Sequence, residues 1–215
     1  DIEGLIHAGV LGFKVFLTHA GIEDFPNVDR ETLQMAMPIL AQYNRTLLAH
    51  AEIEAAHAES HLLPAQPQSY AAYLASRPVG WETDAIELLI DLCQEHQCRT
   101  HIVHVSSAEG AALIAQSKEK KPVLARLLSG ETCPQYLYYN AGEIPDAATA
   151  YKCAPPIRSA LHQQALWQAL KQRTLSFIAS DHSPAPPVIK ELDSGNLQKA
   201  WGGIAGLQFG LPLIW

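Results

Sequence analysis

Hydrophobic and polar positions follow two different periods in turn along the chain. Short apolar runs predict five strands, at residues 12–18, 46–52, 98–106, 122–133 and 175–184. Helical spacing of apolar residues predicts helices between them, near residues 29–43, 82–96, 107–118 and 160–172, and again from Asn196 onward. Strands that alternate with helices predict an α/β fold with a parallel sheet, either doubly wound or part of a (β/α)₈ barrel.

The size of the chain limits how much of a barrel it can form. A complete (β/α)₈ barrel typically needs ~250 residues and eight strand–helix units, whereas this chain has 215 residues and five predicted units. The sequence begins inside a predicted helix and ends on the apolar segment "LQFGLPLIW". We therefore expect residues 1–215 to form one partial barrel domain, about strands 4–8, within a longer protein.

The composition of the chain restricts the kinds of partner that it is expected to bind and the cellular compartment in which it is expected. A net charge of −7 argues against a nucleic-acid-binding surface. No apolar run approaches the roughly 20 residues that cross a bilayer, so no membrane span is expected. The four cysteines form no C-x-x-C pair and are typical of reduced thiols, which favours a cytoplasmic location.

A lysine interrupts the first predicted strand, "GFKVFLT". Side chains alternate along a strand, so Gly12, Lys14, Phe16 and Thr18 share one face. Both faces are largely apolar, which is typical of a parallel strand that is covered on each side. A buried ammonium is costly unless it is paired or chemically altered. Lys14 either reaches a surface carboxylate past the strand end or serves a functional site.

Polar groups also close three other predicted strands. His50 ends "TLLAH", His104 ends "THIVH", and Asp181 ends "LSFIASD". By alternation, His104 is expected to share a face with Thr100 and Ile102. Catalytic groups of α/β folds gather at the carboxyl ends of parallel strands. Two histidines, an aspartate and an interior lysine in register therefore indicate a hydrolytic metal site.

Other candidate residues carry weaker signals. His57 and His61 are spaced for one helix face, but the glutamate of a zincin motif is missing after His57, so a polar loop is favoured. His101 is expected on the outer face of its strand. Glu131 is either a satisfied polar group of the barrel or a neighbour of the site.

Six segments resemble the cyclic amidohydrolase family, which includes dihydropyrimidinases, hydantoinases and dihydroorotases. In chain order they are "GFKVFL", "LLAHAE", "HIVHVS", "ETCPQYL", "KCAPPIR" and "SDHSP". The resemblance covers essentially all 215 residues and implies the C-terminal part of a metal-dependent (β/α)₈ hydrolase barrel. It also implies a small-molecule cyclic amide as substrate and, for the full-length protein, a homotetramer.

The resemblance assigns roles to the strand-end residues. Lys14 would react with carbon dioxide to form a carbamate that bridges two divalent metal ions, expected to be zinc. His50 and His104 would bind one metal, while Asp181 would bind the other and act as general base. Ser183 is a candidate for substrate positioning or a loop-shaping hydroxyl. Cys153 is expected to be buried and is carried as a candidate for lining the substrate pocket.

Two departures and one preference qualify these roles. The family's His-x-His ligand pair would precede Asp1, and relatives commonly have histidine where this chain has Gln135. Hydantoinases and dihydropyrimidinases usually carry tyrosine five residues after the lysine, where this chain has His19. His19 and the closing segment favour a branch that opens a hydantoin ring in purine breakdown. A hydantoinase-type enzyme is the alternative, and a non-catalytic oligomeric scaffold is a third.

Overall fold

One parallel sheet organises the computed structural model, which describes residues 1–54 and 66–215. Its five strands lie in chain order, β1 to β5, and every neighbouring pair is parallel. The strands are β1 (Gly12–Phe16), β2 (Thr46–His50), β3 (Thr100–Ile102), β4 (Leu128–Thr132) and β5 (Phe177–Ile178). Sequential parallel strands with helical crossovers are the architecture of a (β/α)₈ barrel, and these five form part of such a barrel.

Helices connect the strands and cover the outer face of the sheet. In chain order they are α1 (Ile2–His7), α2 (Arg30–Gln42), α3 (Tyr70–Ser76), α4 (Val79–His96), α5 (Ala108–Lys120), α6 (Leu124–Leu127), α7 (Pro134–Tyr138), α8 (Ala160–Lys171) and α9 (Gly210–Ile214). Helix α2 contacts α4, α4 contacts α5, and α5 contacts α8, so these helices form a continuous outer layer. Among the described residues, no helix combines the length and apolar character needed to span a bilayer.

Local sequence explains where the main helices begin. Asp29 caps α2, because its carboxylate accepts hydrogen bonds from the backbone N–H and the hydroxyl of Thr32, at 2.8 and 2.7 Å. Ser107 caps α5 in the same way, since its Oγ accepts from the Gly110 N–H at 3.0 Å. Such side chains satisfy backbone donors that the first helical turn leaves free. Both helix starts agree with the sequence prediction.

The core lies between the sheet and the helical layer. Leu47, Ala49 and Ile102 on the outer face of the strands are at most 1% exposed, and they belong to one cluster with Ile86 and Leu89 of α4. The alternate strand residues point to the other face, where exposure is higher. On β1, the strand at one edge of the sheet, Lys14 is exposed. The expectation that β1 is covered on both faces is therefore wrong for the described structure.

Four predicted elements differ from the structure, and the first is the strand predicted at 98–106, which shortens to Thr100–Ile102. Residues 122–133 are not one strand, because the short helix α6 occupies Leu124–Leu127 and β4 begins only at Leu128. The predicted strand at 175–184 shortens to Phe177–Ile178, since its polar end turns into the site. Beyond Asn196 the chain runs mainly through turns, and only Gly210–Ile214 is helical. Glycines at 202, 203 and 206 break the helical period in this segment.

We expect the helical layer to be sensitive to truncation only where it meets the core. Leu166 is 0% exposed and Leu161 is 76% exposed, although both belong to α8. Leu166→Ala should lower the free energy of unfolding by about 2–5 kcal/mol, because it leaves a cavity. Leu161→Ala should change it by less than about 0.5 kcal/mol. Denaturant unfolding of the two variants measures both changes. Equal losses in the free energy of unfolding would contradict the position of the core between the sheet and the helical layer.

Candidate metal centre and cavity

Strand register brings the predicted site residues to the inner face of the sheet. Lys14 of β1 pairs with Leu48 of β2, and Phe16 pairs with His50. Paired residues of parallel strands point to the same face, so Lys14 and His50 lie on one side. The Phe16 and His50 rings are 5.4 Å apart between centroids.

Lys14 lies in an unusual electrostatic position. Its Nζ is 3.8 Å from the centre of the Phe16 ring. The protein around Lys14 removes part of the hydration of its ammonium, which lowers the pKa to about 8, while Asp181 and Glu131 act in the opposite direction. The side chain therefore carries a larger neutral fraction near neutral pH than an ordinary lysine does.

His50 and His104 form a buried pair. Their ring centroids are 4.6 Å apart in an edge-on arrangement, and the two residues are 6% and 5% exposed. Burial, together with His50 and Lys14, lowers the pKa of His104 well below its ordinary value. This shift favours the neutral imidazole near neutral pH, which is the protonation state that binds metals.

Two of the predicted ligands have left-handed backbones. His104 and Asp181 both have φ of +43°, a conformation that residues other than glycine seldom adopt. The expectation that His104 follows the face of Thr100 and Ile102 is wrong, because those two residues point outward while His104 lines the inner cavity. Such backbone outliers concentrate at functional sites.

Asp181 completes the group of four from the end of β5. Asp181 as a whole residue is exposed. Loss of hydration raises its pKa, and Glu131 adds to this, whereas Lys14 and His50 lower it. Asp181, Lys14 and His50 line the same cavity.

One cavity of about 1070 Å³ joins these residues. Its lining includes five of the residues singled out from the sequence: Lys14, His50, His104, Asp181 and Ser183. His19 also lies on its wall. Cys153 is 2% exposed and is not part of the lining, so its expected burial agrees with the structure while a substrate contact stays a prediction.

Ser183 is held tightly at the cavity wall. Its Oγ accepts a hydrogen bond from the Trp201 indole N–H at 3.2 Å, and its backbone N–H donates to the Ile204 carbonyl at 3.0 Å. Gly203 packs directly against it, since a Cβ on Gly203 would lie 2.3 Å from Ser183 Oγ. Trp201 thus fixes the serine hydroxyl at the cavity, a contact that the sequence did not indicate.

The residues present fit part of a metal site. Among the described residues, none forms a hydrogen bond with the buried Nδ1 atom of His104, which leaves this nitrogen available to a ligand. The donor set of imidazole nitrogens and a carboxylate is one that zinc accepts. Within residues 1–54 and 66–215, however, no three His, Cys, Asp or Glu side chains form a group that could hold an ion. A complete site therefore needs donors beyond these side chains.

Glu52 and Arg77 support His50, and sequence reasoning missed both. The His50 Nε2 and Glu52 Oε2 atoms are 2.8 Å apart, while the Arg77 guanidinium donates to both Glu52 oxygens. Burial alone would raise the pKa of Glu52, but Arg77 and His50 hold it well below its usual range. The sequence "HAE" could have indicated Glu52, since residues i and i+2 share a strand face. No local signal marks Arg77.

His101 lies on the inner face of the sheet, and the expectation of an outer position is wrong. Register pairs His101 with Leu48 and Ser129, which share the face of Lys14. Its ring nitrogens lie 2.7 Å from Ser129 Oγ and 3.0 Å from Glu131 Oε2. Glu131 is thus hydrogen-bonded within the barrel interior, while its electrostatic influence reaches Lys14. The candidates His57 and His61 lie outside the described residues.

Comparisons with known proteins find curated relatives that align with the whole chain. The chain is 43% identical over 215 residues to the mitochondrial allantoinase of Aquarana catesbeiana and 40% identical over 222 residues to an allantoinase of Arabidopsis thaliana. Each alignment covers the whole chain and 43% of the relative, so the chain spans less than half the length of these curated relatives. No protein-family model matches the chain.

Solved structures of hydantoinases and dihydropyrimidinases superpose on this chain. The L-hydantoinase (dihydropyrimidinase) of Arthrobacter aurescens superposes with a TM-score of 0.86 at 30% identity, over all of this chain and 47% of that one. A dihydropyrimidinase of Brevibacillus agri superposes with a TM-score of 0.85 at 28% identity, over 99% of this chain and 46% of that one. Fold and strand-end residues define the C-terminal part of an amidohydrolase-type barrel. The chain belongs to the cyclic amidohydrolase family.

The close packing of Gly203 against Ser183 leads to a prediction with an internal control. Gly203→Ala should lower the free energy of unfolding by about 1–3 kcal/mol and displace Ser183, because the new methyl group overlaps it. At the neighbouring Gly202 the nearest atom to a new Cβ is 3.7 Å away, so Gly202→Ala should be tolerated. Thermal unfolding compares the two variants. Equal melting temperatures would mean that this loop moves aside freely.

Proposed function

We propose that the full-length protein is an allantoinase, which hydrolyses the ring amide of allantoin to give allantoate in purine catabolism. The observation that carries the proposal is the cavity in which Lys14, His50, His104 and Asp181 meet. The curated allantoinases, at 36–43% identity, support this particular substrate. We place the enzyme in the cytoplasm and expect it to assemble as a homotetramer.

A carbamate on Lys14 explains why a lysine lies on the wall of the cavity. Only a neutral amine attacks carbon dioxide, and the lowered pKa of Lys14 increases its neutral fraction. The product is an anion with two oxygen donors, which can bind metal where an ammonium cannot. Lys14, His50, His104 and Asp181 would hold two divalent metal ions, expected to be zinc, together with ligands from outside this chain segment. When bound, such ions supply a water of lowered pKa that is available as hydroxide near neutral pH.

Asp181 would move the proton during ring opening. An Asp181 carboxylate oxygen takes the proton of the attacking water and then delivers it to the departing ring nitrogen, which must be protonated to leave. The raised pKa of Asp181 favours this acceptance. Ser183, fixed by Trp201, would orient the ring by a hydrogen bond to one of its polar groups. We propose that Cys153 lies behind the pocket wall and supports it without contacting the substrate.

A hydantoinase or dihydropyrimidinase is the second candidate, because solved neighbours with those names share the whole fold of this chain. His19 separates the two candidates: it lies on the cavity wall at the position where those enzymes usually carry tyrosine. A histidine there offers a ring nitrogen to a polar substrate. In the structure, His19 Nδ1 accepts from the Gly21 backbone N–H at 3.0 Å, which orients the ring.

Ring-opening assays decide between these substrates. The full-length, zinc-loaded protein should turn over allantoin well above hydantoin, dihydrouracil and dihydroorotate. Lys14→Ala should abolish turnover, while Lys120→Ala, an exposed lysine of α5, should keep it. A preference for another ring would overturn the allantoinase assignment. Absence of both turnover and bound zinc in the wild-type protein would favour a non-catalytic scaffold.

The carbamate itself can be observed directly. Protein prepared with ¹³C-labelled bicarbonate should show a carbamate carbon resonance and about two zinc ions per chain, the number that a two-metal hydrolase holds. Lys14→Ala should lose the resonance and part of the zinc, because its bridging oxygens are gone. The Lys120→Ala protein should keep both. A wild-type protein with two zinc ions but no carbamate resonance would assign the bridge to another group.

A further inference from the structure

A buried chain of hydrogen bonds connects His50 to Glu52 and Glu52 to Arg77. Glu52 is 0% exposed, and one of its oxygens lies 2.8 Å from the His50 Nε2 atom. Arg77 Nε donates to the other Glu52 oxygen at 3.2 Å, and Arg77 Nη2 donates to the first. The Arg77 guanidinium also lies over the Trp81 ring. The orientation of His50 is therefore tied to Glu52 and, through it, to Arg77.

A second buried group holds the turn that follows His104. The Ser106 backbone N–H donates to Glu82 Oε1 at 2.7 Å, and the Ser106 hydroxyl donates to Glu82 Oε2 at 3.1 Å. Ser106 and Glu82 are each 1% exposed. Because Ser106 comes two residues after the strained His104 backbone, this carboxylate fixes the direction in which the His104 turn leaves the sheet.

Arg158 joins the two groups. Its Nη1 donates to the Arg77 backbone carbonyl at 3.1 Å, and its Nε donates to the Ser106 hydroxyl at 3.0 Å. Arg158 is 4% exposed and forms an ion pair with Glu82 at 4.0 Å. It does not line the main cavity, so direct contact with a substrate there is not its role.

We propose that Arg158 is a positioning residue that sets the placement of His50 and His104 relative to each other. It acts on His50 through Arg77 and Glu52, and on His104 through Ser106 and Glu82. The inference rests on the proposed function, in which both histidines bind metal. Outer residues that orient ligating histidines contribute strongly to metal affinity in other proteins.

The shape of the guanidinium is what this role requires. Its planar fork donates in two fixed directions at once, here toward Ser106 and toward the Arg77 carbonyl. A lysine at position 158 keeps the charge beside Glu82 but offers one flexible ammonium, which does not hold both partners in a fixed geometry. Arg158→Lys thus separates the geometric role of Arg158 from its charge.

The test measures zinc binding by the full-length protein, with Zn²⁺ alone and a competing chromophoric chelator. Arg158→Lys should weaken zinc affinity by up to about 10-fold, the lower end of the effect of residues that bond a ligating histidine directly. It should also change the visible absorption of the cobalt-substituted protein, which reports ligand geometry. Ser106→Ala, a smaller change that cuts only the hydroxyl contacts, should weaken zinc binding less. In the double variant the losses should not add, because both substitutions break the same Arg158–Ser106 contact.

Two controls separate positioning from general destabilisation. Arg126→Lys makes the same chemical change at an exposed arginine and should leave zinc affinity unchanged. Leu166→Ala removes core packing in α8, so it should lower the melting temperature without altering zinc affinity.

The outcomes distinguish this inference from the proposed function. If the wild-type protein binds no zinc, the proposed function fails and the inference fails with it. If the wild-type protein binds zinc and Arg158→Lys binds it equally well, the positioning role is overturned while the proposed function stands. If Arg158→Lys does not fold, Ser106→Ala provides the test. Unchanged zinc affinity and an unchanged cobalt spectrum in that variant would overturn the positioning role of Arg158.

Discussion

Parallel pairing between neighbouring strands is the constraint on which the cavity depends. The ladder matches Lys14 with Leu48 and Phe16 with His50, which fixes both the height and the face of each side chain. A slip of one residue would turn Lys14 toward the helices and Val15 toward the cavity. The outward residues Phe13 and Val15 of β1 oppose that slip, because they pack against the core under the helical layer. The apolar half of each strand therefore determines where the polar half can act.

Strand periodicity was sufficient to predict Lys14 and His50 but not the way in which His104 and Asp181 reach the site. The first two lie inside regular strands, so alternation assigns their faces correctly. His104 and Asp181 follow strands that end early, and a left-handed φ re-aims each side chain. Periodic patterns carry no information about a single residue outside the regular regions of φ and ψ. The same limit explains the error for His101. His104 was expected to continue the strand alternation with Thr100 and Ile102, which put those residues on the inner face and His101 on the outer face.

The charged residues behind the cavity lay beyond sequence reasoning for a different reason. Glu52 and Arg77 are 25 positions apart, and Arg158 and Ser106 are 52 positions apart. Their pairing is a product of the fold. A buried carboxylate or guanidinium is tolerated only when partners replace its lost hydration. Composition shows that such residues exist, but only the packed structure shows which of them neutralise one another.

The two left-handed backbones have a consequence for how this site can change in evolution. Histidine and aspartate are among the few residues, besides glycine and asparagine, that adopt positive φ without a large penalty. Positions 104 and 181 are therefore restricted by conformation as well as by chemistry, whereas His50 lies in an ordinary extended strand. In a descendant released from catalysis, position 50 is free to drift toward β-branched or apolar residues. Positions 104 and 181 would keep a narrow choice of side chains, because their positive φ would persist after the site had stopped functioning.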